Sequence, residues 1–391
     1  MSRRKRVLVY AQHLSGVGHH VRTREIARAL ARDHRVCLVQ GGRPVPRPDA
    51  GGGFEVVELP AILRGPEGLE PLDGSRSIDA VLRARAAILG SVAMELAPDV
   101  LIVEHYPFSK WELESEIEAL IGAARAATPE LELVCSVRDI LTRTRHEPAT
   151  AEAHRRRVVS RLNAGFDALL VHSDPRFMRL EEHFAGAGDL EIPVTHTGFV
   201  SEKPVPESQG RREQTASGPA GGPWVVVSTG GGAGSAALVG RLVEAWDRLV
   251  SRGADAGRRL RIFRGLFWSE EEAEDLHRRV DGRRCVVGPF AGDFLRWIGQ
   301  ADLSISRAGY NTCANLLETR CRALLLPDPQ MSDQPLRARR FAEHGLAEVV
   351  ASGEPCVAEL AEAIERALHR ERPSHAFDLD GALRTSALLS R

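Results

Sequence analysis

The segment from Ser306 to Gln334 combines residue types that suit a phosphorylated, hydroxyl-rich ligand. Its first residues, Ser-Arg-Ala-Gly, follow an apolar run and form a glycine turn before a helical pattern that starts near Asn311. Such a turn presents backbone N–H groups and the positive helix end to an anion. Arg307 is a candidate partner for a phosphate or carboxylate, although a strand-end arginine is often merely solvated. Asp333 and Gln334 together offer acceptors and donors for several hydroxyl groups, as a sugar requires.

A second glycine turn follows the predicted strand Trp224 to Ser228 and contains Gly230, Gly231, Gly232 and Gly234. A plain tight turn would need fewer glycines, so the pattern favours contact with an anionic phosphate at the start of the next helix. The turn lacks the Gly-Lys-Ser/Thr ending of a P-loop, and NTP hydrolysis is therefore not indicated.

A third glycine turn, with Gly16 and Gly18, precedes a helix that begins near His19. Only Gly-x-Gly is present, so the turn does not match a dinucleotide-binding fingerprint. A histidine in the first helical turn lies near the positive dipole end, which lowers its pKa and favours the neutral form that accepts a proton. The commoner explanation of a helix-end histidine is a capping or surface role. His13 is a further candidate to line the ligand-binding site at this turn.

Short apolar runs alternate with amphipathic segments through most of the chain, which predicts parallel sheets covered by helices on both faces. The pattern stops at Glu202, where a stretch rich in Pro, Gly, Ser and charge begins, and it restarts at Trp224. We therefore predict an α/β protein with two doubly wound domains. The predicted boundaries are residues 1–201 for the first domain, 202–223 for the linker, 224–374 for the second domain and 375–391 for a terminal helical segment, with a helix from Phe377 to Leu389.

Composition excludes several classes of protein. The 391 residues carry a net charge of −1, which gives no general electrostatic attraction to nucleic acid. No apolar run approaches the roughly 20 residues that span a bilayer, and the basic N-terminus lacks a signal-peptide core, so we expect a cytoplasmic protein. Contact with the inner face of a membrane stays open. Cys37, Cys135 and Cys285 lie in apolar runs and are expected to be buried free thiols.

Two charged patterns have an ordinary explanation beside a functional one. Asp378-Leu379-Asp380 is the best DxD candidate for a metal, but its place near the C-terminus favours a cap of the final helix. The arginines of the run Arg143 to Arg157 would suit an anionic acceptor or lipid headgroups, whereas a solvated helix face is the more common arrangement. No metal site is predicted.

The order and spacing of the three turns, with SRAGYNT and Asp-Gln in the last segment, resemble the GT-B glycosyltransferases, specifically glycosyltransferase family 28. The resemblance covers nearly the whole chain, is most specific from Gly288 to Ala338 and is loosest from Pro44 to Arg76. The segments EHYPFSKWELE, SVRDIL, VHSDPRF and THTGFVSE resemble a bacterial branch of predicted glycosyltransferases. The implied fold is GT-B, with two Rossmann-like domains facing a central cleft.

The resemblance implies a role for each matching residue. His19 matches a histidine that acts as base or supports the acceptor site, and the implied acceptor side also includes His13, Gly16, Gly18 and Glu104. The implied donor site comprises the second glycine turn (Gly231, Gly232, Gly234), a nucleobase-binding pair (Phe290, Ala291), the turn with its helix (Ser306, Arg307, Gly309, Asn311, Asn315) and the sugar-contacting pair (Asp333, Gln334).

One position departs from the family. Nine residues after Ser306, where the family has an acidic residue for the ribose hydroxyls, this chain has Asn315. An amide still hydrogen-bonds a hydroxyl but is not a charged acceptor for two of them. Glu318 is one helical turn away and is a candidate substitute.

The resemblance implies an inverting transferase that moves a sugar from a nucleotide diphosphate donor, with UDP expected, to a hydroxyl or amine acceptor. No metal or other cofactor is required, and no partner protein or nucleic acid is implied. The acceptor would be a small molecule or a lipid-linked one. Two alternatives stay open: a nucleotide-sugar epimerase of the same architecture, with Glu104 and Asp139 as acids, and a non-catalytic nucleotide-sugar-binding protein, for which Asn315 is the main indication.

Overall fold

The computed structural model describes residues 4–14, 18–44, 52–65, 68–74, 76–141, 148–203, 223–230, 236–265, 268–280, 284–289 and 294–390. The chain divides into two compact units, of which the first is Met1–Ser201 with Phe377–Arg391 and the second is Glu202–Ala376. Each unit contains its own parallel sheet with helices, as the alternating sequence pattern predicts. Within these ranges, no helix has both the length and the hydropathy needed to cross a membrane.

The first unit is built around a seven-stranded sheet with the order β3-β2-β1-β6-β7-β8-β9, and a separate hairpin pairs β4 with β5. Its strands are β1 (Arg6–Gln12), β2 (Arg35–Gly41), β3 (Glu55–Glu58), β4 (Ile62–Gly65), β5 (Gly68–Pro71), β6 (Val100–Glu104), β7 (Glu132–Arg138), β8 (Ala168–His172) and β9 (Val194–His196). Its helices in this part of the chain are α1 (Gly18–Leu30), α2 (Ile78–Leu96), α3 (Glu114–Ala127) and α4 (Pro148–Gly165).

Both faces of this sheet are covered. Leu8 and Tyr10 of β1 join a core that includes Leu89 of α2 and Ile117 of α3. Their neighbours in the strand point to the opposite face, where Val9 packs in a second core with residues of α1. This two-sided burial explains why the strands read as continuous apolar runs.

The second unit has a six-stranded sheet with the order β12-β11-β10-β13-β14-β15. Its strands are β10 (Trp224–Ser228), β11 (Arg259–Phe263), β12 (Cys285–Gly288), β13 (Leu303–Ser306), β14 (Ala323–Leu325) and β15 (Glu348–Val349). Its helices are α5 (Ala236–Ser251), α6 (Glu270–Arg279), α7 (Phe294–Gln300), α8 (Tyr310–Thr319), α9 (Gln334–Glu343) and α10 (Val357–His369). Trp246 of α5 and Ile364 of α10 pack in one core with Val227 of β10.

The last helix, α11 (Gly381–Leu389), belongs to the first unit, where Leu389 shares the core of α1. It begins at Gly381, so the predicted start at Phe377 is wrong. The residues before it are not helical, and Asp380 forms a β-bridge with Val200. Asp380 makes no side-chain cap bond, whereas a carboxylate oxygen of Asp378 accepts the Asp380 N–H at 2.9 Å and another pairs with Arg384.

The predicted buried thiols are confirmed, since Cys37, Cys135 and Cys285 are all free and buried. Burial raises the pKa of Cys135 well above its ordinary value. Thiols of this kind behave as small apolar side chains rather than as reactive groups.

A buried ion pair crosses the interior of the first unit. The Arg85 guanidinium donates to both carboxylate oxygens of Glu116, at 2.7 and 2.8 Å, and to Oε1 of Gln12 at 2.6 Å. The Tyr10 hydroxyl donates to the same Glu116 carboxylate at 2.6 Å. Arg85 and Glu116 have side-chain exposures of 0% and 1%, so neither charge has water as an alternative partner. The pair therefore fixes α2 and α3 against the end of β1.

Replacement of Arg85 by Met tests this dependence. It leaves the Glu116 carboxylate buried without its cation, and we expect the free energy of unfolding of the first unit to fall by about 3–5 kcal/mol. Urea unfolding followed by circular dichroism measures the change. The control is Glu55→Gln, which breaks an exposed pair with Arg35 (side-chain exposures 61% and 55%) and should cost less than about 1 kcal/mol. Equal effects of the two variants would contradict the argument.

Candidate functional site

The topology of the first sheet brings the ends of β1 and β6 together. The two strands are parallel neighbours, and the strand order reverses at this point because β2 lies on the other side of β1. Loops at such a switch point diverge and leave room for a ligand. His19 is the second residue of the helix after β1, and Glu104 is the last residue of β6. Their side chains meet, with His19 Nδ1 at 2.6 Å from Glu104 Oε1.

Two cations also contact the Glu104 carboxylate. Arg22, one turn along α1 from His19, contacts Oε1, and Lys110 Nζ donates to Oε2 at 2.7 Å. The Lys110 ammonium also donates to the backbone carbonyl of Glu104 at 3.2 Å. All three charged side chains are buried, with Glu104 only 1% exposed. The carboxylate therefore has a protein partner on each oxygen.

The chain after β6 folds back tightly to make this contact. His105 and Lys110 both adopt left-handed backbone conformations, with φ values of 63° and 67°. Non-glycine residues rarely adopt this region, and such strain persists only where the surroundings over-determine it. Here the strained turn brings Lys110 next to Glu104, and the ion pair between them stabilises the turn.

The electrostatics define the protonation state of His19. Burial acts to raise the pKa of Glu104, but the three groups that contact it hold that pKa well below its ordinary value. Burial also lowers the pKa of His19 to about 4, although Glu104 opposes this effect. At neutral pH an ionised carboxylate thus faces a neutral imidazole. Because Nδ1 faces the carboxylate, it carries the proton, and Nε2 is the basic nitrogen.

His105 is a neighbour of His19 that the sequence reasoning did not find. The two rings make an edge contact with centroids 4.9 Å apart, and His105 Nε2 accepts the N–H of Arg138 at 3.4 Å. Burial lowers the pKa of His105 well below its ordinary value, so it adds no charge beside His19. No sequence signal marked this residue, because its importance depends on the backbone turn after Glu104.

His13 lies at the end of β1 and hydrogen-bonds the carbonyl of Arg43 through Nε2 at 2.8 Å. Burial lowers its pKa, and Glu104 and Lys110 also act on that pKa, so His13 lies within the field of the same cluster. Gly18 is the first residue of α1. Gly16, the other predicted residue of this turn, lies outside the described residues.

Within the described ranges, one group has spacing that suits a metal ion. Donor atoms of His19, Glu104 and His105 lie within 4.8 Å of one another. Arg22 and Lys110 already contact the Glu104 carboxylate, however, and two cations at the same group disfavour the approach of a third. The arrangement favours proton transfer over metal binding.

The second sheet has a switch point of the same kind, between β10 and β13. β10 and β13 are parallel neighbours, and Ser228 lies opposite Ser306 where both strands end. The Ser306 hydroxyl is buried and has no hydrogen-bond partner among the described residues. Gly309 is the N-cap of α8, makes no side-chain cap, and a Cβ built on it would meet nothing within 4 Å. The start of α8 therefore has no side-chain cap and has open space at Gly309, as an anion site at a helix N-terminus requires.

Two arginines lie near this turn. Arg307 Nη1 donates to the carbonyl of Leu326 at 3.0 Å. Burial lowers the pKa of Arg307, Asp328 opposes that effect and Arg241 adds to it, so a second guanidinium acts on the same place. Arg241 is on α5, shortly after the second glycine turn, and its buried Nε has no partner in the described part of the chain. Two like charges with a single nearby acid favour an anionic ligand. Arg241 could have been found from its position one turn into that helix.

Asn315 is buried on α8 and donates from Nδ2 to Glu202 at 2.8 Å. Its buried Oδ1 has no partner among the described residues. Glu318, the candidate substitute for the missing acid, instead pairs with Lys203 at 2.9 Å. The acid beside Asn315 is therefore Glu202, which the sequence reasoning placed at the start of the linker.

Asp333 and Gln334 lie at the start of α9. Asp333 is buried, and its Oδ2 accepts from Arg337 at 2.9 Å. Gln334 Oε1 accepts the backbone N–H of Asp328 at 2.9 Å. Asn311 is the second residue of α8 and is half-buried. The other predicted donor residues, Gly231, Gly232, Gly234, Phe290 and Ala291, lie outside the described residues.

The basic run on α4 is largely paired with acids. Arg155 contacts Glu152 and Asp189. Arg157 contacts Glu114 and stacks on Trp111, with the guanidinium carbon 3.7 Å from the ring centroid. This arrangement fits the solvated helix face better than a lipid-binding surface. Arg143 and Arg145 lie outside the described residues.

The lowered pKa of His19 predicts that its ring takes up a proton only well below the ordinary pH range of histidine. Between the ordinary value near 6.5 and the folded value of about 4, the unfolded chain binds a proton that the folded chain does not. The contribution of His19 to stability is therefore complete above pH 6.5 and is lost as the pH falls toward 4. We expect NMR of the His19 Cε1–H signal, assigned by its loss in His19→Gln, to show a midpoint near 4. A midpoint at 6.5 would show that the surroundings of the ring do not lower its pKa.

Comparison with known proteins adds to this geometry. Residues 225–376 match the family described as Glycosyltransferase family 28 C-terminal domain. No curated protein sequence matches the chain significantly.

Several solved structures share the fold. The glycotransferase of kitacinnamycin aligns with a TM-score of 0.57 at 17% identity over 99% of this chain and 94% of its own. The spinosyn forosaminyltransferase SpnP gives 0.58 at 15% identity over 99% and 94%. MurG of Acinetobacter baumannii gives 0.53 at 16% identity over 98% and 95%. These likenesses confirm the predicted pair of Rossmann-like domains of the GT-B fold.

Proposed function

We propose that the chain is a glycosyltransferase and an inverting enzyme that uses a UDP-sugar, because residues 225–376 match the family 28 C-terminal domain and the chain shares the GT-B fold of solved glycosyltransferases. It would transfer a hexose-type sugar to a hydroxyl or amine acceptor. The observation that carries the mechanism is the 2.6 Å contact between His19 Nδ1 and Glu104, which leaves Nε2 as a base.

In the proposed step Nε2 of His19 removes the proton of the acceptor as the acceptor atom attacks the anomeric carbon. The bond from that carbon to the diphosphate oxygen breaks, and UDP leaves with the bonding electrons. Attack opposite the leaving group inverts the anomeric configuration. Glu104 stabilises the imidazolium that forms, and Arg22 and Lys110 keep Glu104 ionised throughout.

The second unit would bind the donor. We propose that the start of α8 and the guanidinium groups of Arg307 and Arg241 stabilise the charge on the departing diphosphate. Three further groups contribute in the proposal. Gly231, Gly232 and Gly234 would face the phosphates, Phe290 and Ala291 the nucleobase, and Asp333 and Gln334 the sugar. The unpartnered Oδ1 of Asn315 is suited to a ribose hydroxyl. The proposed chemistry uses no metal.

The epimerase alternative has less support. Glu104 is neutralised by two cations, and Asp139 is fully buried with Oδ1 accepting the backbone N–H of Ile140 at 2.8 Å. Glu104 is thus engaged by its cations, and Asp139 is enclosed by the protein, which is not the setting of an acid at an anomeric centre. The basic nitrogen of His19 gives the transferase a base that a purely binding protein would not need.

A thermal-shift panel of UDP, TDP, GDP and their sugars tests the donor. We expect UDP compounds to raise the melting temperature most. In Gly309→Ala the added methyl group enters open space, so the fold should persist while the ligand's approach to the α8 amides is blocked, and the UDP-dependent shift should shrink. A larger shift with GDP would overturn the UDP assignment.

Turnover by His19→Ala tests the base. We expect kcat to fall by about 10²–10⁴-fold with an unchanged Kd for the donor, because the donor is held by the other unit. UDP release in the presence of candidate acceptors measures turnover. His369→Ala, at an exposed position on α10, is the control. Epimer formation without an acceptor would favour the alternative, and unchanged turnover would exclude His19 from the mechanism.

A further inference from the structure

Arg337 is fully buried, which is unusual for an arginine. It lies in the first turn of α9, and its side chain is 0% exposed. Its Nη1 donates to the carbonyl oxygen of Ala308 at 2.7 Å and to Oδ2 of Asp333 at 2.9 Å. One nitrogen thus joins the turn after β13 to the residue that precedes α9.

The buried charge requires this arrangement. A guanidinium taken out of water is costly unless an acid and further acceptors surround it, and Asp333 supplies the acid. The guanidinium carbon also lies 6.0 Å from the ring centroid of Tyr310, the first residue of α8. Arg337 therefore contacts the residues on both sides of Gly309.

A second connection runs between the same two loops. Arg307, within the turn, donates to the carbonyl of Leu326 just after β14, and the Leu326 N–H donates to Ser306 at 2.9 Å. Arg307 is only half-buried, whereas Arg337 is fully enclosed. Because Arg337 is enclosed, a ligand can bind without displacing its side chain from these contacts.

We infer that Arg337 is a positioning residue for the donor, because it fixes the Gly309 turn and the Asp333 carboxylate in one relative position. The inference rests on the proposed function, which places the diphosphate at that turn and the sugar at Asp333. Arg337 itself would contact neither. Its effect is preorganisation: without it, binding would have to order two loops that are already joined.

The test compares Arg337→Lys with Arg339→Met. Lysine keeps the positive charge, but its side chain is shorter than that of arginine, so its ammonium does not reach the position of Nη1, which makes both contacts. Arg339 is an exposed residue on the same helix and gives a matched control. Should Arg337→Lys not fold, the double variant Arg337→Gln with Asp333→Asn removes both buried charges together and leaves no uncompensated carboxylate. Because Asp333 is itself a proposed sugar contact, only the amide exchange of residues 308–311 is compared in this variant, and unchanged exchange there would overturn the inference.

Two measurements separate a structural from a positioning role. Amide hydrogen exchange without ligand should be faster in residues 308–311 and 333–336 of Arg337→Lys and unchanged in Arg339→Met. The Kd for the UDP-sugar and its KM should rise on the order of tenfold in Arg337→Lys, with a smaller change in kcat.

The possible results of these measurements have different consequences for the inference. Unchanged exchange in Arg337→Lys would overturn the inference whatever the donor does. Faster exchange with unchanged donor affinity would make Arg337 a purely structural residue and would also overturn it. A wild-type protein that binds no nucleotide sugar would instead overturn the proposed function, and the donor role of Arg337 with it.

Discussion

A carboxylate removed from water must be compensated by nearby cations, and in the first unit this constraint acts at Glu104. The residue ends a central strand, where the topology leaves space for a ligand, and burial alone would favour its neutral form. Arg22 and Lys110 keep it charged, and the strained turn at His105 and Lys110 exists to bring one of those cations back. The orientation and tautomer of His19 then follow from the ionised Glu104.

The second unit has the same kind of switch point in its sheet, but different side chains lie there. There the ends of β10 and β13 carry the hydroxyl groups of Ser228 and Ser306, the guanidinium of Arg307 follows, and the start of α8 has no side-chain cap. One unit thus holds a neutral base beside a fixed negative charge, while the other concentrates donors and positive charge. The proposed reaction, in which the acceptor is deprotonated and a diphosphate leaves the donor, would use this division.

Particular residues show what could be read from the sequence. The glycine turns and apolar runs predicted both sheets, since strand period and turn residues are local signals. They also led to His19, in the first turn of α1, and to Ser306, at the end of β13. The partners of these residues were mostly missed. Lys110 reaches Glu104 only because two residues take left-handed conformations, and Glu202 reaches Asn315 from the supposed linker. Such contacts depend on the path of the chain in space, which carries no periodic signal.

The placement of α11 has a consequence for biosynthesis. The helix completes the core beside α1, yet the residues that form it follow the whole second unit in the chain. At ribosomal speeds of about 5–20 residues per second, residues 202–376 take roughly 10–35 s to emerge. Throughout that interval the core that α1 forms with the sheet lacks Leu389. The half of the molecule that carries His19 therefore matures last, although it is made first.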